Sequence, residues 1–590
     1  MQPLPAVRSL WNCEVEGMIS LTINGKRVTV PEGTTILEAA RTSGVAIPTL
    51  CYLKGVNEVG ACRMCVVEVK GADRLVAACD TFVAEGMEVE TNTDRVRAAR
   101  KSNLQLILSG HDCHCLTCER NGNCQLQGLA HEMNLDGELP YPAKVPKDSW
   151  NTALPFVRKA SRCISCLRCM SVCDKIQGMR VWDLVGLGRF ARVGVRNGLT
   201  LQEAHCTFCG QCVVHCPVAA LGERDDGERF LAAVRDPSKT VVLQVAPAVR
   251  ASWGEDLGLP RAVATERRMV AAFRALGADF VFDTDFAADL TVMEEGNELV
   301  ERLRSGEKGP LFTSCCPAWV RFLKQEYPDM AGCLSSAKSP QQMFGAIAKT
   351  FFAQKVNRDP KDVFCVSVMP CTAKKREAEE GTGDRGSGIR DVDLVLTTRE
   401  AVCLMRRQGI GVEGLSERDF DSPLGTGSGA GVLFGATGGV MEAALRTAAF
   451  VLEGKNPDPE RFRSVRGSDG RREVTVEIGG QTIRACVASG LRNARQVVED
   501  VRNGLADYDF VEVMACPGGC AGGGGQPFSD ECERATLRGK VLYGLDEANK
   551  VRFSHENPEV LKLYDEFLGR PLSSRARELL HVQNLSSQPY

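Results

Sequence analysis

Residues 19–30, ISLTINGKRVTV, alternate apolar and polar side chains on both sides of Asn24-Gly25. A period of two marks strands with one buried face, and Asn-Gly supplies the positive backbone angles of a type I′ turn, so a hairpin is predicted. TTILEAARTSG then shifts to a helical period, with Thr34 or Thr35 as N-cap and Gly44 as the stop. Residues 94–109 carry a second helical stretch that ends on Leu104, Leu106, Ile107 and Leu108 before Gly110. The Pro-rich LPYPAKVPKDSW (139–150) shows neither period and reads as a linker.

After PSKT (237–240) the texture changes to short apolar runs alternating with helical stretches: VVLQVAP, DFVFDTDF, DVFCVSVMPC and DYDFVEVMACPGGC. Most of these predicted strands end in a loop bearing Cys, Pro or Gly, which is how α/β folds present functional groups. Within MEEGNELVER, predicted helical, Glu295, Glu298 and Arg302 fall on one face at i, i+3 and i+7. A solvated charged face is the ordinary explanation of such a triplet.

A chain of 590 residues has room for several domains. Its formal net charge of −3 gives no basic field for nucleic acid or anionic lipid. No apolar run approaches the ~20 residues that cross a bilayer. Residues 1–17 lack the basic start and apolar middle of a secretory signal and are expected to be an extension ahead of the strand at Met18. The 27 cysteines change the picture most. Secreted disulfide scaffolds are short and denser in cysteine, whereas here many cysteines recur two residues apart in runs. That is the habit of thiolate metal sites in a reducing cytoplasm.

Cys51-x10-Cys62-x2-Cys65-x13-Cys79 follows the hairpin and helix of a small β-grasp module and suits a [2Fe–2S] cluster. A zinc ribbon is the alternative, but ribbons carry two CxxC knuckles and this stretch has one. Gly60, just ahead of Cys62, would allow close backbone approach to sulfide. His111-x3-Cys115-x2-Cys118-x5-Cys124 fits a His-ligated [4Fe–4S] cluster or a zinc site, with Cys113 and His114 as competing donors. Cys163-x2-Cys166-x2-Cys169-x3-Cys173 and Cys206-x2-Cys209-x2-Cys212-x3-Cys216-Pro217 form an internal repeat and match the bacterial two-cluster run. In that run the fourth cysteine crosses over: Cys163, Cys166, Cys169 and Cys216 serve one [4Fe–4S] cluster, and Cys206, Cys209, Cys212 and Cys173 the other.

Four clusters in series need a terminus. Three loops offer one: TSCCPAW (313–319), MPCTAKK (369–375) and MACPGGC (514–520). Ordinary buried cysteines account for Cys333, Cys365, Cys403, Cys486 or Cys532, but poorly for three loops that each join Cys to Pro or Gly beside an apolar strand. GTGSGA (425–430) fits a loose GxGxxA pattern and is read as a glycine-lined wall of the active site. The chain contains no convincing nucleotide site.

The three loops resemble the signature segments of the [FeFe]-hydrogenases, and the resemblance extends over nearly the whole chain from residue 18, including the order of the accessory clusters. It is nearest to catalytic subunits of multimeric NAD(P)-linked enzymes and to single-chain clostridial ones; up to about residue 222 the chain also resembles the large iron–sulfur subunit of respiratory complex I. The resemblance implies an H-cluster: a [4Fe–4S] cube on Cys316, Cys371, Cys516 and Cys520, with Cys520 bridging to a diiron unit that carries CO, cyanide and a bridging dithiolate amine. It makes Cys315 a proton-exchanging thiol rather than a ligand, and it continues the proton path through Glu295, Ser335, Glu298 and Arg302. Lys374 would donate to a cyanide, and Ala246, Pro247, Met369, Met514 and Phe434 would form an apolar, water-excluding shell. Where Ser often follows Ala-Pro in single-chain relatives, Ala248 stands here, so one hydrogen bond to the cluster is expected to be missing.

The fold expected is multidomain α+β and α/β: an extension (1–17), a β-grasp [2Fe–2S] domain (18–95), a His-ligated [4Fe–4S] domain (96–138), a linker (139–157), a two-[4Fe–4S] ferredoxin-like domain (158–236) and an α/β H-cluster domain with a small C-terminal segment (237–590). The activity implied is reversible H2 oxidation and proton reduction. One [2Fe–2S] and three accessory [4Fe–4S] clusters would lead electrons to a flavin- and iron–sulfur-containing NAD(P)-linked subunit, with ferredoxin as the alternative acceptor. Dedicated maturation enzymes would insert the diiron unit. The rivals are a complex I-like electron-transfer subunit, a non-catalytic relative used in iron–sulfur assembly, and a slow hydrogen sensor.

Overall fold

A computed structural model describes residues 17–135, 150–188, 191–381, 389–467, 469–529 and 534–582. Nearly all of the expected N-terminal extension, and 139–149 of the expected linker, lie outside them. Asn24 and Gly25 take φ of 48° and 76°, and the strands Met18–Ile23 and Lys26–Pro31 pair antiparallel from Ile23↔Lys26 to Met18↔Pro31. Of the two candidate caps, Thr35 is the one used: its hydroxyl accepts the Glu38 amide and starts the helix Ile36–Thr42. A mixed sheet in the order Lys26–Pro31, Met18–Ile23, Glu88–Glu90, Val66–Val69, Val76–Ala77 packs Leu21, Ile23, Val28 and Val67 against Ile36 and Leu37 of that helix. This is the β-grasp arrangement. Gly60 has φ 59°, and a Cβ there would strike the Asp80 carboxylate, so the protein's own packing already requires glycine.

The helix Asp94–Ser109 is capped by Thr93 and ends at Gly110, as its pattern predicts. The following cysteine repeat is visible in the backbone. Ser165 and Leu167 (φ 52° and 66°) occupy the positions of Phe208 and Gly210 (φ 55° and 73°), each pair flanking the second cysteine of its run. Alternating backbone handedness turns successive N–H groups inward, a concavity that suits an anion. The amides of Ser165 and Phe208 accordingly donate to the sulfurs of Cys163 and Cys206 at 3.4 and 3.5 Å.

Beyond residue 239 two sheets carry the site. One is all parallel, in the order Phe280–Asp283, Thr240–Val245, Val363–Met369, Leu394–Thr397. The other runs Leu311–Phe312, Phe510–Met514, Gln481–Ser489, Arg471–Ile478, with only the last strand antiparallel. Thr240–Val245 is buried along its full length, as a strand covered on both faces must be. DFVFDTDF departs from the strand-then-loop pattern. Its strand enters the helix Thr284–Ser305 directly, with Asp283 capping the Asp285 amide at 2.9 Å. The other parallel strands deliver Ala246-Pro247, Thr313–Cys316, Pro370-Cys371 and Ala515–Cys520 to one place. Among the described residues no helix is long and apolar enough to cross a membrane.

Candidate active site

The three cysteine loops meet around one cavity of about 70 Å³. Cys315, Cys316, Cys371, Cys516, Cys520 and Lys374 line it, together with Ala246, Pro247, Met369, Met514 and Phe434. Every residue expected at this centre is therefore brought together, apart from the outer proton path. Burial pushes all five thiols up, Cys371 to about 12. For Cys516 the neighbouring Cys371, Cys316 and Cys520 add to that burial, which places four sulfurs in mutual range. A dry pocket that disfavours thiolates needs a cationic metal centre to hold them. Four thiols around a space several times the ~10–15 Å³ that admits one water fit an iron–sulfur centre.

Cys315 differs from its neighbour. Cys316 is the N-cap residue of the helix Pro317–Glu326, whereas Cys315 is raised first by burial and next by Glu295. Glu295 is fully buried, its Oε1 accepts the Ser314 amide at 3.2 Å, and its Oε2 has no hydrogen-bond partner. Burial, then the Glu298 carboxylate, pushes Glu295 up to about 8, against the hydrogen bond from the Ser314 amide. Ser335 spends its one hydroxyl proton on Glu298, at 2.6 Å. Arg302 stands apart: it donates to Glu307 at 2.6 Å and to the Gly309 carbonyl at 3.2 Å. Helical spacing gave its face correctly but not its partner. Lys374 donates to Glu377 at 3.0 Å and to the Cys315 carbonyl at 3.2 Å while its side chain borders the cavity.

The GTGSGA loop is a correction. Gly425 and Gly427 line a separate cleft with Asp283, Asp285 and Arg250, and the Gly425 and Thr426 amides donate to Glu559 at 2.9 and 2.7 Å. The glycines are there because Gly427 abuts the Asp285 side chain and Gly425 the Asp421 carbonyl.

Two smaller cavities reproduce the crossed repeat. Cys163, Cys166, Cys169 and Cys216 line one, and Cys173, Cys206, Cys209 and Cys212 line the other, each of about 20 Å³. Cys51, Cys62, Cys65 and Cys79 are all buried and their thiols interact, Cys51 with Cys62 and Cys79, and Cys65 with Cys79. His111 gives Nδ1 to the Arg162 carbonyl at 3.0 Å, and burial keeps its imidazole below the ordinary range, neutral and able to ligate. Its competitors His114 and Cys113 are exposed, His114 against Asp112. Among the described residues no three His, Cys, Asp or Glu side chains close on a single metal ion.

Residues without a motif join these centres. Asn57, fully buried, donates to the Cys51 carbonyl at 2.6 Å and the Cys166 carbonyl at 3.0 Å. Asp112 N donates to the Ser161 carbonyl at 2.9 Å, tying the His111 loop to the same run. Thr372 Oγ1 donates to the Phe208 carbonyl at 2.7 Å, and Arg321 Nε to the Cys206 carbonyl at 2.9 Å. Both N-terminal loops thus abut the 163–169 run, and the 206–212 run abuts the large cavity. Gln341 also went unnoticed in the sequence. Its amide nitrogen is used by Glu377 and the Lys374 carbonyl, leaving a buried acceptor oxygen on a residue that lines the cavity.

Comparison with known proteins agrees with this geometry. Residues 239–524 match the iron only hydrogenase large subunit, C-terminal domain, and 532–583 the iron hydrogenase small subunit. Residues 16–94 match a 2Fe-2S iron-sulfur cluster binding domain, 100–138 the NADH-ubiquinone oxidoreductase-G iron-sulfur binding region, and 162–220 a 4Fe-4S dicluster domain. The NADP-reducing hydrogenase subunit HndD of Solidesulfovibrio fructosivorans is 44% identical over 97% of this chain and 99% of its own length. Iron hydrogenase 1 of Clostridium pasteurianum is 38% identical over 96% of this chain and 100% of its own. A solved structure of apo [FeFe]-hydrogenase HydA1 from Chlamydomonas reinhardtii, 43% identical, covers 60% of this chain and 97% of its own at a TM-score of 0.55. With its iron–sulfur modules and its cysteine-lined cavity, the chain belongs to the iron-only hydrogenases, oxidoreductases that act on H2.

Proposed function

We propose that this chain interconverts H2 with protons and electrons at an H-cluster held by Cys316, Cys371, Cys516 and Cys520, with Cys520 bridging to a diiron unit carrying CO, cyanide and a dithiolate amine. The observation that carries the reading is the division of labour in the large cavity: four thiols lining the space, and a fifth, Cys315, beside a buried acid. When bound, the cluster supplies the metal that polarises H2 and takes its electrons. Cys315 hands the proton on to Glu295, and Ser335 passes it to Glu298, with Arg302 at the outer end of the same helix face. Lys374 sets a compact positive charge against the cavity, where a cyanide would accept its hydrogen bond. Met369, Met514, Phe434, Ala246 and Pro247 keep water out.

Cys206, Cys209, Cys212 and Cys173 would hold the [4Fe–4S] cluster beside the cavity, and Cys163, Cys166, Cys169 and Cys216 the next. His111, Cys115, Cys118 and Cys124 would hold a further [4Fe–4S] cluster, and Cys51, Cys62, Cys65 and Cys79 the [2Fe–2S] cluster, all of them serving as one-electron carriers. That makes one [2Fe–2S] and three accessory [4Fe–4S] clusters in the domains bounded at residues 18, 96, 158 and 237. The partner we assign is a flavin-bearing NAD(P)-linked subunit in a cytoplasmic hetero-oligomer. One-electron clusters cannot readily reduce a hydride acceptor without a flavin, and the fully matched relative bears the name of an NADP-reducing hydrogenase subunit. Ferredoxin is the competing acceptor. The test supplies H2 to the purified, matured chain with a dye and with NAD(P) separately. Dye reduction alone, with NAD(P) reduction restored by a co-purifying flavoprotein, is expected; direct NAD(P) reduction by the isolated chain would refute the partner. Chain expressed without maturation enzymes should carry accessory clusters and show no activity.

A further inference from the structure

Glu294 precedes Glu295 in the helix Thr284–Ser305, and one residue of α-helix turns the side chain by about 100°. Glu295 therefore faces Ser314, while Glu294 faces the C-terminal segment. It is fully buried, and its Oε2 meets His581 Nε2 at 2.8 Å and accepts the Leu572 amide at 2.9 Å. Its Oε1 accepts the Tyr564 hydroxyl. The other nitrogen of His581, Nδ1, lies 2.8 Å from Ser336 Oγ. Ser336 Oγ lies 3.1 Å from Glu298 Oε1, and the Ser336 amide donates to that same oxygen at 3.2 Å. The backbone fixes this alignment, because His581 bridges Ala337 and the Val582 amide donates to the Ser336 carbonyl at 2.8 Å. An unbroken hydrogen-bonded line thus runs Glu298–Ser336–His581–Glu294, ending on an acid whose other contacts are all donors.

We propose that Ser336, His581 and Glu294 form a dead-end proton store that branches from the relay at Glu298. The inference rests on the hydrogenase reading above. Each H2 releases two protons, whereas Cys315, Glu295, Ser335 and Glu298 form a single file. A side branch lets the first proton step off the file while the second follows. The transfer balances. Glu298 gives one proton to Ser336 Oγ, Ser336 gives its own to His581 Nδ1, and His581 gives the Nε2 proton to Glu294; the return reverses each step. No bond between heavy atoms changes. None of the three residues touches the reacting atoms; they act through Glu298. The charged and titratable groups around the branch are Glu295 and Glu298 on its helix side, Tyr564 on the segment side, and the surface pair Arg577–Glu301 outside it.

The test uses His581→Gln, Glu294→Gln and Ser336→Ala, each in the full chain, with Arg577→Ala as a control that loosens the segment without cutting the branch. Infrared spectra of the carboxyl region are taken on chain lacking the diiron unit, where the band removed by Glu298→Gln marks Glu298. That band should shift in Ser336→Ala and His581→Gln and stay put in Arg577→Ala. In matured enzyme the three branch variants should lose turnover several-fold and change the pH–rate profile of H2 oxidation, with cluster content unchanged. An unmoved Glu298 band overturns the branch. A shifted band with wild-type pH–rate profiles in all three variants overturns the store. Should matured wild-type chain show no hydrogen activity, the functional reading and the store fall together, and the carboxyl band separately decides whether the hydrogen-bonded branch exists.

Discussion

Cys316 caps a helix and looks onto Cys371 and Cys520, while Cys315, one residue earlier, is held by burial and by Glu295. Replacing Cys315 by Ser keeps the shape of the site but puts a hydroxyl, a far weaker acid than a thiol, in the relay. Iron content should be retained while turnover falls by about 10²–10⁴, the range usual for a lost acid–base group. Cys316→Ser should instead lower the iron content. Metal analysis beside a hydrogen assay separates the two. Glu295 supplies the second prediction at this scale. Burial and Glu298 push it up to about 8 from an ordinary 4.5, so it stays protonated in the fold where the unfolded chain has ionised. Its contribution to stability is fully present below pH 4.5 and is lost as pH rises to about 8. Glu295→Gln should flatten that loss in urea titrations across the window, and should slow turnover at every pH. The accessory cysteine runs were legible because each lies within a short local spacing. The partner of Arg302 was not, since a helical period fixes a direction and leaves the group it meets to tertiary packing.

MPCTAKK shows how one loop divides its labour between adjacent lysines. Lys374 borders the cavity, while Lys375 is fully buried and bonds Asp226 at 2.7 Å, Glu400 at 2.9 Å and the Val395 carbonyl at 2.8 Å. Burial alone would push Asp226 up, but Lys375 and Arg224 hold it down at about 2. Lys375 thereby pins the helix Ala373–Glu380 to the strand Leu394–Thr397 and to the start of the helix Gly227–Arg235. Lys375→Met takes the cation from buried Glu400 and one of the cations from Asp226, and should cost about 3–5 kcal/mol, read as a lowered urea midpoint by tryptophan fluorescence. Strands, caps and the hairpin were legible because each rests on a few neighbouring residues, as Thr35, Gly110 and Asn24-Gly25 do. The glycine loop at 425–427 was misassigned because glycine signals close approach without naming what approaches, here Asp285 and Asp421.

Across the molecule, four family matches follow one another along the chain in the order that the cysteine runs predict, and a fifth, at 532–583, has no such run. What the sequence did not disclose is how the modules touch. Asn57 ties the Cys51 loop to the Cys166 loop, Thr372 ties the catalytic loop to the Cys206 run, and His581 reaches Ser336 across 245 positions. Such contacts carry no motif, because a buried amide, hydroxyl or imidazole needs only a partner in space. We propose that the cavity between the two sheets holds a diiron unit beside a cube on Cys316, Cys371, Cys516 and Cys520. Infrared spectroscopy of the purified, matured chain addresses it most directly, since no amino acid gives CO or cyanide stretches. The account predicts both sets of bands, their absence from unmatured chain, and their loss in Cys520→Ala with the accessory clusters retained. A matured chain that evolves H2 and holds its full iron–sulfur complement without any CO or cyanide band would contradict it.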